Sequence, residues 1–214
     1  MLRRCDVRLA MTSGFHPRPR INLPSALALA VEGLDEVVEI EVVQKITAEE
    51  LRQRLIDDDQ PGMSIGRVQW VSSVDGSGVP PILGKAKVHS SEYEIEVPED
   101  FDLMWVDRGI ERAHELETIS VDRKEKVVTT TVADVFKDLR RRDQFICVTQ
   151  LEVTGATIKL PELLDAIGLA DLLPSGAIMR RTRVHLIDEL PTCDFQGSDA
   201  TSDFELHPLE TKTS

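Results

Sequence analysis

Twice in this chain the residues Glu-Ile-Glu-Val follow one another, at 39–42 and at 94–97, within the alternating segments Val38–Val42 and Tyr93–Val97. Charged and branched apolar side chains taking turns with period two describe a strand with one face buried and the other wet. The four-letter repeat is weak evidence of duplication, because half-exposed strands draw on these residues anyway. It does rule out a purely helical fold, and the segments around it decide what kind of mixed fold this is.

Ahead of the first strand, residues 5–12 suit a short strand, and an apolar stretch runs from Ile21 to Val31. Thr47-Ala-Glu-Glu50 is a capping box that opens a helix running to about Asp57. Its Ala48, Leu51 and Leu55 fall on one side. Pro61-Gly62 stops the chain there, and Ile65–Val71 reads as another strand. After Tyr93–Val97 a helix is expected over Leu103–Leu116, with Val106, Ile110 and Ala113 at helical spacing. A hairpin follows over 119–123 and 126–132, then a strand over Gln144–Val153. Pro161 starts a helix that Gly168 ends, and Ile178–Ile187 gives the last strand. Strands alternating with single helices predict an α+β fold: two ferredoxin-like units in tandem. The expected divisions are residues 1–71, a Ser/Gly/Pro-rich linker at 72–85, a second unit at 86–187 and a disordered acidic tail at 188–214.

Charge excludes one class of activity. Lys and Arg number 25 against 38 Asp and Glu, a net −13, which opposes broad nonspecific nucleic-acid binding. The distribution is uneven. Arg3, Arg4, Arg8, Arg18 and Arg20 face only Asp6 in the first 25 residues, whereas the tail carries seven acids and one lysine. Cys5, Cys147 and Cys193 are scattered and suggest no disulfide framework, which fits a reducing cytoplasm. No apolar leader or membrane-length run is present, so a cytoplasmic location without membrane contact is expected.

Several chemistries lack their residues. Three closely spaced cysteines for an iron–sulfur cluster are missing, as are Cys-x-x-Cys and His-x-x-x-His pairs for zinc. Gly78–Lys85 is one residue too long for a phosphate loop, has Ala86 where a hydroxyl is needed, and loses amide donors at Pro80-Pro81. No metal or cofactor is expected, and the chain leans away from being an enzyme.

The least generic stretch is Gly14-Phe-His-Pro-Arg-Pro-Arg-Ile21. Pro17 and Pro19 forbid regular structure and would display Arg18 and Arg20 at small entropic cost. Arginine pairs bidentately with phosphate or carboxylate. Histidine serves as acid, base or phosphate contact, which makes His16 a candidate. Phe15 suits stacking on a base, but filling the core is the expectation. Arg140-Arg141-Arg142 and Arg180-Arg181, with Arg183, are further candidates, each read first as a solvated helix end or strand edge. Convergence of all these on one concave face would favour RNA or phosphate. Pairing with the protein's own acids would favour a structural role.

These residues carry a resemblance. Thr12-Ser-Gly-Phe-His-Pro-Arg-Pro-Arg-Ile21, Ala26–Glu32, Asp35-Glu36, Leu160–Leu164 with Gly168, and Arg180-Arg181-Thr182 resemble blocks of the radical-SAM-linked protein family, a bacterial domain of unknown function. The likeness spans roughly 2–187 and is strongest over 13–36. It implies a radical SAM protein as partner, with an RNA or ribosomal component as the material presented, and it carries no assigned reaction. Two departures stand out. Ala30 occupies a position where the family commonly has Gly, and the strand and helix that usually precede Arg3-Arg4 are not here, so the first unit is expected to lack them. The leading expectation is therefore a non-catalytic accessory module. The alternatives are a metal-independent RNA-processing enzyme using His16, and a structural interaction domain without a ligand.

Overall fold

The computed structural model describes residues 1–70, 86–123, 126–153 and 158–187. The expected 72–85 linker, the Gly78–Lys85 loop and the acidic tail lie outside them. The chain is mixed α+β, and it divides into two compact units. Of the described residues, the first unit holds 1–17 and 42–70; the second holds 18–41 and those from 86 onward.

The first unit is built around α1 (Ala48–Asp57). Thr47 caps it, its hydroxyl accepting from the Glu50 amide at 3.1 Å. The Glu50 carboxylate turns to Arg54 instead, at 2.6 Å, so only half of the capping box forms. Leu51 and Leu55 are buried, as are Cys5, Val7 and Ile46. Arg4 clamps Asp58 with two bonds of 2.8 and 2.9 Å, and the Trp70 indole donates to the Ile46 carbonyl at 2.9 Å. Two expected strands are not present as such. Residues 5–12 contribute an isolated antiparallel bridge, Leu9 to Val42, and 65–70 form no strand among the described residues. Without a neighbour offering a ladder of donors and acceptors, alternating apolar residues do not hold a strand.

The second unit contains a five-stranded sheet in the order β2-β9-β4-β8-β7, where β2 is Val31–Gly33, β4 Val88–Glu96, β7 Phe136–Arg142, β8 Phe145–Leu151 and β9 Ile178–Leu186. Neighbours are antiparallel except β2, which runs parallel to β9. Two helices, α2 (Leu103–Glu115) and α4 (Leu160–Ala166), connect the strands so that β4-α2-β7-β8-α4-β9 is a β-α-β-β-α-β sequence, the ferredoxin-like order. Between α2 and β7 are inserted the hairpin β5 (Thr118–Arg123) and β6 (Lys126–Thr131) and a single-turn α3 (Val132–Val135). A separate two-stranded ribbon pairs β1 (Ile21–Asn22) with β3 (Glu39–Ile40), so the Val38–Val42 strand is shorter than its pattern implies.

One face of the large sheet meets the helices in a continuous core that includes Ile95, Ile146 and Met179 from the strands, Val106, Ile110 and Ala113 from α2, and Leu163 and Leu164 from α4. The helical spacing of α2 is thus the spacing of its buried side. Gly109 lets that helix approach closely, since a Cβ there would meet Leu169 Cγ at 2.8 Å. At the other end of α4, Gly168 takes φ +80° to close the helix, and Arg112 donates to the Ile167 carbonyl at 2.7 Å.

Candidate functional site

Strand register decides where the candidate arginines point. Across the sheet, Glu32, Arg180, Glu94, Cys147 and Arg140 stand in one row. The next row is Val31, Met179, Ile95, Ile146 and Arg141. Successive residues face opposite sides. Met179, Ile95 and Ile146 are core residues, so the first row lies on the face away from the core.

On that outer face the charges alternate and are already paired. Arg180 donates to Glu32 at 2.7 Å and to Glu96 at 2.6 Å. Arg142 reaches Glu94 at 2.7 Å, and His185 pairs with Glu92 at 2.6 Å. The Arg180 guanidinium is held in its charged form above its usual range by the bonds from Glu96 and Glu32. Arg140 is exposed and donates weakly to the Asp138 carbonyl at 3.3 Å. Cys147 lies in this row; burial, and then the Glu94 charge, push its thiol above the ordinary value, away from reactivity.

Arg181 is the exception among surface candidates. Only 1% of it is exposed. Its Nε and Nη2 grip the two oxygens of Glu36, and Nη1 and Nη2 donate to the Ser25 hydroxyl and carbonyl at 2.8 and 2.9 Å. Burial opposes the charge most strongly, but the interactions with Glu36 and Tyr93 together outweigh it and the pKa is raised. Gly33 makes this possible: a Cβ there would stand 2.7 Å from Glu36 Cγ. Arg181 is a tie between residues 25–36 and β9, and its role is not that of a ligand-facing residue. Arg141 likewise turns to α2, clasping Asp107 at 2.7 and 2.8 Å, which lowers the Asp107 carboxyl below its usual range.

The proline segment behaves differently. Phe15 is 100% exposed, which corrects the expectation that it fills the core. His16 is exposed and meets the Phe15 ring edge-on at 6.3 Å. The segment crosses from the first unit, which ends this stretch at Pro17, into the second, which begins at Arg18. Arg18 is exposed, and Arg20 pairs with Glu41 at 3.1 Å while half exposed. Of the candidates, then, Arg140 and Arg180 share one face of one sheet, three strands apart. Strand spacing puts about 14 Å between their backbones.

Apolar exposure is a further feature of this region, one that sequence alone does not reveal. The run Ala26–Ala30 is exposed throughout, with Leu29 98% accessible; Leu23, Leu34 and Val38 are exposed as well. An uninterrupted apolar run is ambiguous, because it fits a buried strand as well as a contact surface. Ala30 takes φ +62°, the left-handed conformation that glycine favours. Met104 and Trp105 on α2 are also exposed, and they fall off the helical stripe of Val106, Ile110 and Ala113.

Residues 1–159 match the family described as an uncharacterized protein conserved in bacteria, DUF2344. The chain belongs to that family. No curated protein and no solved structure matches this DUF2344 member. Among the described residues, no three His, Cys, Asp or Glu are grouped to hold a metal ion, and no helix is long and apolar enough to cross a membrane.

Proposed function

We propose that this DUF2344 chain is a non-catalytic partner module that binds a radical SAM protein and helps present its substrate, an RNA or ribosomal component. The observation that carries the reading is apolar display: Phe15 is 100% and Leu29 98% exposed, both within the stretch that most resembles the radical-SAM-linked family. Leaving large apolar side chains wholly in water has no folding benefit, and such residues are characteristic of protein contact surfaces. The outer face of the sheet, with its acids interleaved between arginines, would repel phosphates as much as attract them, so RNA would be met together with the partner.

The test is co-purification under anaerobic conditions with the cognate radical SAM protein. The parent is expected to retain that protein, and Phe15→Ala with Leu29→Glu to release it while melting normally. Failure of the parent to retain it would overturn the reading.

A further inference from the structure

Two of the largest exposed apolar side chains in the second unit sit together on the first turn of α2, Met104 at 60% and Trp105 at 51%. Ahead of them the chain makes a tight turn, the Phe101 amide donating to the Pro98 carbonyl at 3.0 Å. Asp102 then caps the helix, accepting from the Met104 amide at 2.9 Å. That turn exposes Glu99, Asp100 and Asp102 beside the Met–Trp pair. Core packing does not need the pair, since α2 buries Val106, Gly109, Ile110 and Ala113.

The ring itself records what it attracts. The Arg108 guanidinium lies 5.9 Å from the Trp105 ring centroid, a cation held over the π face. The chain's other tryptophan spends its indole N–H on a backbone carbonyl, whereas among the described residues Trp105 makes no hydrogen bond with its own. We propose that Met104 and Trp105, rimmed by Glu99, Asp100 and Asp102, are a docking patch for a basic, amphipathic segment of a partner protein. Its apolar side covers the Met–Trp pair, and its Lys or Arg side chains meet the three carboxylates.

Charge complementarity selects this occupant. Three exposed acids repel the phosphates of RNA and the anionic headgroups of a membrane, and the whole chain, at −13, steers cationic partners towards it. A half-exposed Trp, here with Arg108 over its ring, is the kind of residue that dominates the energy of a protein contact. The residues differ from those proposed for the radical SAM protein, so each reading stands or falls on its own measurement.

The probe is an amphipathic Leu/Lys peptide, with a Leu/Glu peptide of the same length as control, titrated against the full chain by calorimetry. The Leu/Lys peptide is expected to bind and the Leu/Glu peptide not to. Trp105→Ala and Met104→Ser should each weaken binding by about tenfold or more, with unchanged thermal melts because both side chains are exposed. Glu99→Gln with Asp100→Asn should weaken it and flatten its salt dependence, while Glu111→Gln with Glu115→Gln, an equal charge change further along α2, should leave it alone. No binding by the parent overturns the proposal. So does binding that survives Trp105→Ala, or falls equally with either charge pair, since that is attraction to net charge alone.

Discussion

The arginines of strand β9 and those of the segment Gly14–Ile21 are alike on paper and opposite in use. β9 lies between β2 and β4, so Arg180 and Arg181 each have a neighbouring strand on both sides, and those strands and the turn after β2 supply Glu32, Glu96 and Glu36; Arg183, past the end of β2, is exposed and reaches Asp35 only at 3.9 Å. The segment around Pro17 and Pro19 has no strand beside its exposed Phe15, and Arg20 meets a single acid, half in water. What an arginine does is set by which backbone lies across from it: Arg20 faces Glu41 on one side, its carbonyl accepting from the Glu41 amide at 3.1 Å, whereas Arg180 and Arg181 are flanked on both sides.

The strongest way to break this comparison is to remove the arginines singly. Arg181→Ala should cost about 3–5 kcal/mol in chemical denaturation, because Glu36 would be left charged beside a hole. Arg180→Ala, partly solvated, should cost about 1 kcal/mol or less; equal losses would refute the distinction between the two faces of β9. Gly33→Ala attacks the same tie from behind. Its new methyl would displace the Glu36 side chain, and about 1–3 kcal/mol should be lost, less so in an Arg181→Met background where nothing is left to hold. Acid titration sharpens the account of paired arginines through Glu162. Burial raises this carboxyl, but the bonds from Arg123 and the Lys159 amide more than offset that, and its pKa is lowered. The stability it contributes, about 1 kcal/mol, is complete above the ordinary glutamate range and is lost as pH falls through the depressed folded value. Glu162→Gln should remove that part of the acid limb. In the displayed region, Ala30→Gly relieves a left-handed alanine and should stabilise by about 1 kcal/mol. Smallest of all, Phe15→Ala should move the midpoint by no more than about 0.5 kcal/mol, since nothing in the fold rests on that ring.

Helices were legible because their signals are local. Thr47 and Pro161 mark beginnings, and the buried stripe of α2 is visible as a spacing of four and three. Strand β7 was not legible. Its buried residues Phe136 and Leu139 are three apart, because a bulge between Lys137 and Arg140, with Asp138 at φ +55°, breaks the period of two. The opposite error befell 65–70, where the pattern is present and no partner strand is. The candidate site was legible as a location and not as a division of labour. Arg180 and Arg181 differ by one step along the chain, and only the register with Glu94 and Tyr93 tells which is wet. Burial of Arg181 depends on Glu36, 145 residues away, and no local window contains both.

That distance has a consequence for the order of events at the ribosome. Among the described residues β9 is the last strand to be made, yet it occupies an inner place in the sheet, and Glu32 must wait for a residue 148 positions later. Until β9 emerges, β4 has one open edge and β2 has no ladder at all, so the nascent chain can pair β4, β8 and β7 but cannot join β2 to them. A fragment cut back to the matched residues 1–159 would lack α4 as well as β9, exposing the β4 edge to whatever strand it meets first.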